Sequence, residues 1–296
     1  MNIGITGAGG FIAKRLIPLA RERGHRIIGF SRNPAQAIPG CDETRRFSLD
    51  APPDITGCDA IIHLAGEPVF GLWTPKKRAR IRDSRILGTR RIVDAILTAK
   101  NPPRILVSSS AIGFHGDTGE NEANEDSPPG AGFLAEVCQS WETEALRARE
   151  KNIRVVLLRT SVVLGPRGGA MQPIYPAFRL GLGGNLGSGR QWMAWIHLHD
   201  EAALILHALD HAEIEGPIEA VAPHPCRNSE FTAALARTLH RPAFLHIPAF
   251  ALKIALGDFS RELLDSKRII SKHLAPSGFK HRFPSLEDAF ANILNT

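Results

Sequence analysis

The chain has 296 residues, 43% of them hydrophobic and 22% charged, with a formal charge of +6. That balance fits a globular protein with a sizeable core and excludes a disordered or fibrous polymer. The four cysteines are far apart with no C-x-x-C pair, which argues against a zinc site or a disulfide framework and for a reducing, cytoplasmic setting. The sequence opens on a strand, so no signal peptide is expected, and no apolar run approaches the ~20 residues of a membrane span.

Strands are expected at 2–6, 26–31, 45–49, 59–65, 104–110 and 154–164, each a short β-rich apolar run. Helical periodicity marks 11–24, 79–99 and 133–152. Strands alternating with helices of this length imply βαβ crossovers, hence an α/β, doubly wound parallel sheet of Rossmann type. Beyond residue 165 the rhythm loosens: 165–191 is too rich in Gly and Pro for one regular element. A helix at 200–212, a strand at 217–222 and a helix opening at Asn228 or Ser229 follow, and the remainder forms a smaller mixed lobe.

The first βα turn, GITGAGGFIAKRL, places Gly7 and Gly10 after a strand and before a helix. Small residues there let the backbone approach a pyrophosphate seated on the positive helix N-terminus; the bland alternative is a mere tight turn. At the end of the second strand, an enzyme reading the ribose 2′-hydroxyl of NAD needs Asp or Glu. Ser31 and Arg32 stand there instead, and a guanidinium suits the 2′-phosphate of NADP(H), unless Arg32 is simply a surface residue. The basic run 76–85 lacks interleaved aromatics, so nucleic-acid binding is not expected. It reads as the wet face of a helix. Nor is a metal site expected.

With TGAGGFIA, HLAGEP, SSSAIGFHG and WIHLHD in this order, the chain resembles the extended short-chain dehydrogenase/reductases, and more closely their atypical epimerase-family branch. The resemblance covers nearly the whole length. It implies an NADP-binding domain at 1–165, with 190–222 returning to it, and a substrate lobe formed by 166–189 and 223–296. By the same resemblance Thr6, Gly7, Gly10, Phe11 and Ile12 form the pyrophosphate turn, and Leu64, Ala65, Gly66 and Glu67 line the nicotinamide side. Ser108 and Cys138 belong to the cofactor side as well. Ser110 matches the hydroxyl that holds a substrate carbonyl, with Ser109 as the register alternative. Ser84–Arg85 stand where relatives often carry Asn.

The same relatives use a Tyr as general acid and a Lys one helical turn later, which also holds the nicotinamide ribose. Here the single tyrosine, Tyr175, lies in the Gly/Pro-rich segment. Anchoring on Trp141–Glu142 puts Leu134 at the tyrosine position and Cys138 at the lysine position; a one-residue shift gives Phe133 and Val137. Glu136 lies roughly 200° round the helix from Leu134 and faces away. His115, just past the serine strand, is the replacement acid/base to test, against the plainer reading of a hydrogen-bonded loop histidine. Trp73, Arg82, Arg85 and Gln191 are the substrate candidates, with Arg82 and Arg85 close enough on one helix to clamp an anion or merely to form a solvated face. Trp195 and His197 brace the junction between lobes.

Two functions follow as expectations. One is an NADP(H)-dependent oxidoreductase or epimerase acting on an anionic small molecule such as a nucleotide sugar. The other is a non-catalytic NADP(H)-binding sensor. The resemblance also allows a homodimer through the helices at 81–99 and 133–151.

Overall fold

The computed structural model describes residues 1–166 and 168–295; Arg167 and Thr296 lie outside the described residues. In chain order the first half runs β1 (Asn2–Thr6), α1 (Ala13–Glu22), β2 (Arg26–Ser31), β3 (Glu43–Arg46), β4 (Ala60–His63), α2 (Pro75–Thr98), β5 (Ile105–Ala111), α3 (Phe133–Leu146) and β6 (Arg154–Thr160). Helices α4 (Met171–Arg179), α5 (Leu198–Asp210), α6 (Asn228–Leu239), α7 (Ala249–Leu256), α8 (Ser260–Leu264) and α9 (Leu286–Leu294) follow.

A final strand, Gly216–Ala220, joins beside β6 and completes a seven-stranded sheet. Its order is Gly216–Ala220, β6, β5, β4, β1, β2, β3. Every neighbouring pair is parallel. The strands read as near-continuous apolar runs because both faces are covered. On one face Leu16, Ile17 and Ala20 of α1 and Leu204 and Ile205 of α5 pack against Ile3, Ile5 and Ile62. On the other, Ile92, Val93 and Ile96 of α2 and Ala145 of α3 pack against Ile28, Ile61 and Leu106.

Several expected boundaries shift, and three of the shifts have a clear local cause. The third strand is Glu43–Arg46 rather than 45–49: β2 pairs with it from Ile28↔Glu43 to Ser31↔Arg46, so the charged residues of this edge strand are the paired ones. Helix α2 starts at Pro75, ahead of 79, because Thr74 accepts the Lys77 N–H and Pro75 occupies the first turn. The run 154–164 breaks at Ser161, whose hydroxyl donates to the Ala220 carbonyl at 2.7 Å. Val162–Leu164 then leaves the sheet and pairs with Trp195–His197.

That crossing leads into a second core of Phe178, Trp195, Phe231, Leu235, Phe290 and Ile293. Phe231 and Phe290 meet edge to face at 5.1 Å. Tyr175 packs here, on α4. Among the described residues, no helix is long and apolar enough to cross a membrane.

Candidate functional site

Strand β1 has β2 on one side and β4 on the other, so strand order reverses at β1 and a crevice opens at its carboxyl end. The glycine turn sits there. Gly7 adopts φ 65°, and a Cβ on it would lie 3.0 Å from the backbone of Leu64 and Ala65, so only glycine fits. The Gly10 N–H closes the turn on the Gly7 carbonyl at 2.7 Å. Gly9 is exposed, and a Cβ on it would meet nothing within 4 Å. Helix α1 has Ile12 as its N-cap, no side-chain cap and no acidic residue in its first turn. The N–H groups of Phe11 and Ile12 have no partner among the described residues. The positive helix end is therefore left open to an anion. The Phe11 ring turns the other way, against Gly165, Gly168 and Gly169, where a side chain would collide with it.

At the end of β2, the Ser31 hydroxyl accepts the Asn33 N–H at 3.1 Å. Arg32 is exposed and has no hydrogen-bond or ion-pair partner among the described residues. Across the crevice, Glu67 is held below the usual carboxylate range. The Lys77 hydrogen bond at 2.8 Å is the main cause, with Arg80 and Arg32 adding to it.

Thr6 is fully buried. Its hydroxyl accepts the N–H groups of Leu64 and Ala65, both at 3.1 Å, and lies 2.7 Å from His63 Nδ1. With its acceptor sites used, it donates to Nδ1, so His63 carries its hydrogen on Nε2. Burial pushes His63 down to about 4, which keeps it neutral. Thr6 thus fixes the backbone of 64–65 and does not itself face the crevice. Beyond it, the Ser84 hydroxyl accepts the Glu67 N–H at 2.9 Å.

Strand β5 alternates: Ser108 and Ser110 are buried, while Ser109 and Ala111 are half-buried on the opposite face. The Ser110 hydroxyl donates to Glu142 Oε1 at 2.6 Å. Glu142 is in turn held by Arg159 through Nε (2.8 Å) and Nη2 (2.9 Å). The same guanidinium donates to Glu219 Oε1 at 3.1 Å, and His115 Nε2 lies 2.7 Å from that oxygen. All five side chains are buried, and the Arg159 guanidinium also lies 3.5 Å over the Phe114 ring. Burial alone would lower Arg159, but its carboxylate partners hold it above the ordinary guanidinium value. The structure thus places Ser110 and His115 at two ends of one buried ion network.

On α3, Leu134 and Cys138 share the face that packs on Gly113: a Cβ there would lie 3.2 Å from Leu134 Cβ and 3.8 Å from Cys138 Sγ. Burial, with Glu142 adding to it, pushes the Cys138 thiol up to about 12. Glu136 faces out, into a groove of 500 Å³ between α2 and α3 that Arg78, Arg82 and Phe133 also line. Arg82 pairs there with its neighbour Asp83. Arg85 points the opposite way, under the Gly66–Glu67 loop, so the two arginines do not converge. Trp73 gives its indole N–H to the Val69 carbonyl at 2.6 Å and stacks edge-on against Phe133. The Gln191 amide is buried and donates to the carbonyls of Leu186 and Leu263. It ties the chain at Leu186 to α8.

Together the sheet, the open turn and the uncapped helix define a doubly wound domain built for a dinucleotide. The chain belongs to the NAD dependent epimerase/dehydratase family, whose model matches residues 3–221. A domain of unknown function, DUF1731, matches residues 247–293. The chain is 36% identical to the chloroplastic epimerase family protein SDR39U1 homolog of Arabidopsis thaliana, over 99% of this chain and 87% of that one. It is 34% identical to epimerase family protein YfhF of Bacillus subtilis, over 99% and 98%. Among solved structures, the human epimerase family protein SDR39U1 with NADPH superposes with a TM-score of 0.90 at 31% identity, covering 100% of this chain and 99% of that one.

Proposed function

We propose that this chain binds NADP(H) in the crevice above β1 and uses it for hydride transfer on an anionic small molecule such as a nucleotide sugar. The observation that carries the reading is the pairing of an open, uncapped turn at Gly7–Ile12 with the exposed Arg32 at the end of β2. The N–H groups of Phe11 and Ile12 would hold the pyrophosphate, and Arg32 the 2′-phosphate. When bound, the nicotinamide supplies the hydride chemistry. The human relative crystallised with NADPH supports the same cofactor.

The chain's own residues then position and enclose. Residues 64–67 line the nicotinamide side, their backbone set by Thr6. We assign 1–165 and 190–222 to the nucleotide domain, which the Gly216–Ala220 strand in the main sheet supports. We assign 166–189 and 223–296 to the substrate lobe. A homodimer through the outer faces of α2 and α3 and a cytoplasmic setting, suited to four free thiols, belong to the same proposal.

A second reading, an NADP(H)-binding sensor without turnover, is favoured by one observation. The Ser110 proton is already committed to Glu142, and α3 offers only Leu134 and a thiol raised to about 12. Fluorescence titration of NADPH and NADH tests the shared claim: NADPH should bind more tightly, and equal affinities would sink it. Oxidation of bound NADPH across a panel of anionic carbonyl compounds and nucleotide sugars then separates the two. Turnover establishes the enzyme, whereas binding without turnover leaves the sensor.

A further inference from the structure

Six of the ten large apolar side chains exposed among the described residues lie in two short segments of the second lobe. Leu180 (75% exposed) and Leu182 follow α4. Phe244 (78%), Leu245, Phe250 (67%) and Ile254 (80%) lead into and along α7. The two segments are neighbours: Gly184–Leu186 pairs in parallel with Leu245–Ile247, and a Cβ on Gly181 would lie 3.5 Å from Pro242. On α7, Phe250, Lys253 and Ile254 share the outer face at i, i+3 and i+4, while Leu252 is buried on the other side. Leu72, also exposed, extends the patch beyond the helix, since a Cβ on Gly257 would lie 3.2 Å from it. Apolar residues scattered singly are ordinary on a surface, whereas a concentration of this kind marks contact with something apolar.

The charge around the patch has one sign. Neither 171–192 nor 231–257 contains an Asp or a Glu. Arg179, Arg241 and Lys253 are exposed and have no hydrogen-bond or ion-pair partner among the described residues. Lys253 acts through space on Asp265, and Asp258, just past α7, is held by Arg78. A second copy of the chain fits this face poorly, because a two-fold contact would set the same cations against one another. A folded protein partner fits poorly too. Side chains this exposed stand clear of their neighbours and build no walled pocket for an anchoring residue. Free-standing Phe, Leu and Ile beside unpaired Arg and Lys match an anionic bilayer. The apolar tips enter the boundary of the acyl chains, and the cations meet the headgroup phosphates.

We infer that this face of the second lobe docks the protein peripherally on an anionic lipid bilayer, with Phe244, Phe250 and Ile254 as the inserting side chains and Arg179, Arg241 and Lys253 on the headgroups. The inference does not rest on the NADP(H) reading, and either can fail without the other.

The test floats the full chain with vesicles of phosphatidylcholine, alone or with about one-third phosphatidylglycerol. Wild type should rise with the anionic vesicles, remain behind with the neutral ones, and detach as ionic strength is raised. The double variant Phe250→Gln, Ile254→Gln removes apolar surface without changing charge and should weaken binding about tenfold or more. Arg241→Gln with Lys253→Gln should weaken it by about as much. All four side chains are exposed, so both variants should unfold at the wild-type temperature. Absence of wild-type binding to the anionic vesicles overturns the inference, as does equal binding to neutral ones. Binding that survives Phe250→Gln, Ile254→Gln also overturns it, by reducing the contact to charge alone. A molar mass in light scattering that halves in that variant assigns the face to a second copy instead.

Discussion

Arg159 grips both carboxylate oxygens of Glu142, at 2.8 and 2.9 Å, and with its remaining nitrogen reaches Glu219 Oε1 at 3.1 Å. One guanidinium thus serves two carboxylates inside the protein. Removing it takes the only ion-pair partner from Glu142 among the described residues and leaves Glu219 with His115 alone, so Arg159→Met should cost about 3–5 kcal/mol in urea unfolding. Arg159→Lys should rescue little, since a single ammonium cannot match three oxygens held by a planar fork. Stability within about 1 kcal/mol of wild type for either variant would show the network to be energetically idle.

Arg32 has no hydrogen-bond or ion-pair partner among the described residues, which makes it a usable probe. Arg32→Ala should weaken NADPH about tenfold or more and leave NADH nearly unchanged, because only NADPH carries the phosphate. A parallel loss for both nucleotides in calorimetric titration would move Arg32 away from the 2′ position.

Cys138 is buried, with its thiol pushed up to about 12, so it has almost no thiolate at neutral pH. In native protein it should resist iodoacetamide, and mass spectrometry should find Cys41, the half-buried thiol, modified first. Cys138→Ala should change NADPH affinity little. Ser110→Ala and His115→Ala should each lower any turnover by loosening the network they terminate. Loss of turnover in Cys138→Ala alone would make the thiol the reactive group.

Glu201 is fully buried, with one oxygen accepting from the Thr160 hydroxyl at 2.7 Å and the other without a partner among the described residues. Burial raises it from 4.5 to about 7, partly opposed by the Thr160 bond. The folded state therefore binds a proton that the unfolded state releases. This stabilisation is complete below pH 4.5 and is lost as pH rises towards 7. The loss is of order 3 kcal/mol. Glu201→Gln should flatten that part of the stability–pH curve and be the more stable protein above pH 7. An unchanged slope, measured by chemical denaturation at several pH values, would count against a titrating Glu201.

The sheet and the nucleotide turn were legible in the sequence because they depend on local pattern: apolar runs, helical period, and glycines between strand and helix. The ion network was not. Glu142, Arg159 and Glu219 stand in separate elements, and nothing local links them. The available signal was a charge inside a buried strand, as in VVLLRT and GPIEA, which must be paired somewhere. Spacing misled at Arg82 and Arg85. Residues three apart can flank the border between a helix's buried and wet faces. Ile81, Arg85 and Gly88 turn in towards β4 and its loop, while Arg78 and Arg82 line the outer groove. His115 looked like a loop histidine because its partner, Glu219, is supplied by a strand from the far end of the domain.

The backbone N–H of Glu219 donates to Glu125, and Glu125 is closed off by the Ser271 hydroxyl and the Lys272 N–H. Ala123, outside any strand, likewise pairs with Ile269 in an isolated bridge. Residues on either side of the boundary between the two matched family regions therefore complete a single interior. A nascent chain must have emerged past Lys272 before Glu125, which accepts the Glu219 N–H, can be closed off. The two regions should melt as one cooperative transition, and a fragment ending near residue 221 should be left with an open, hydrated core.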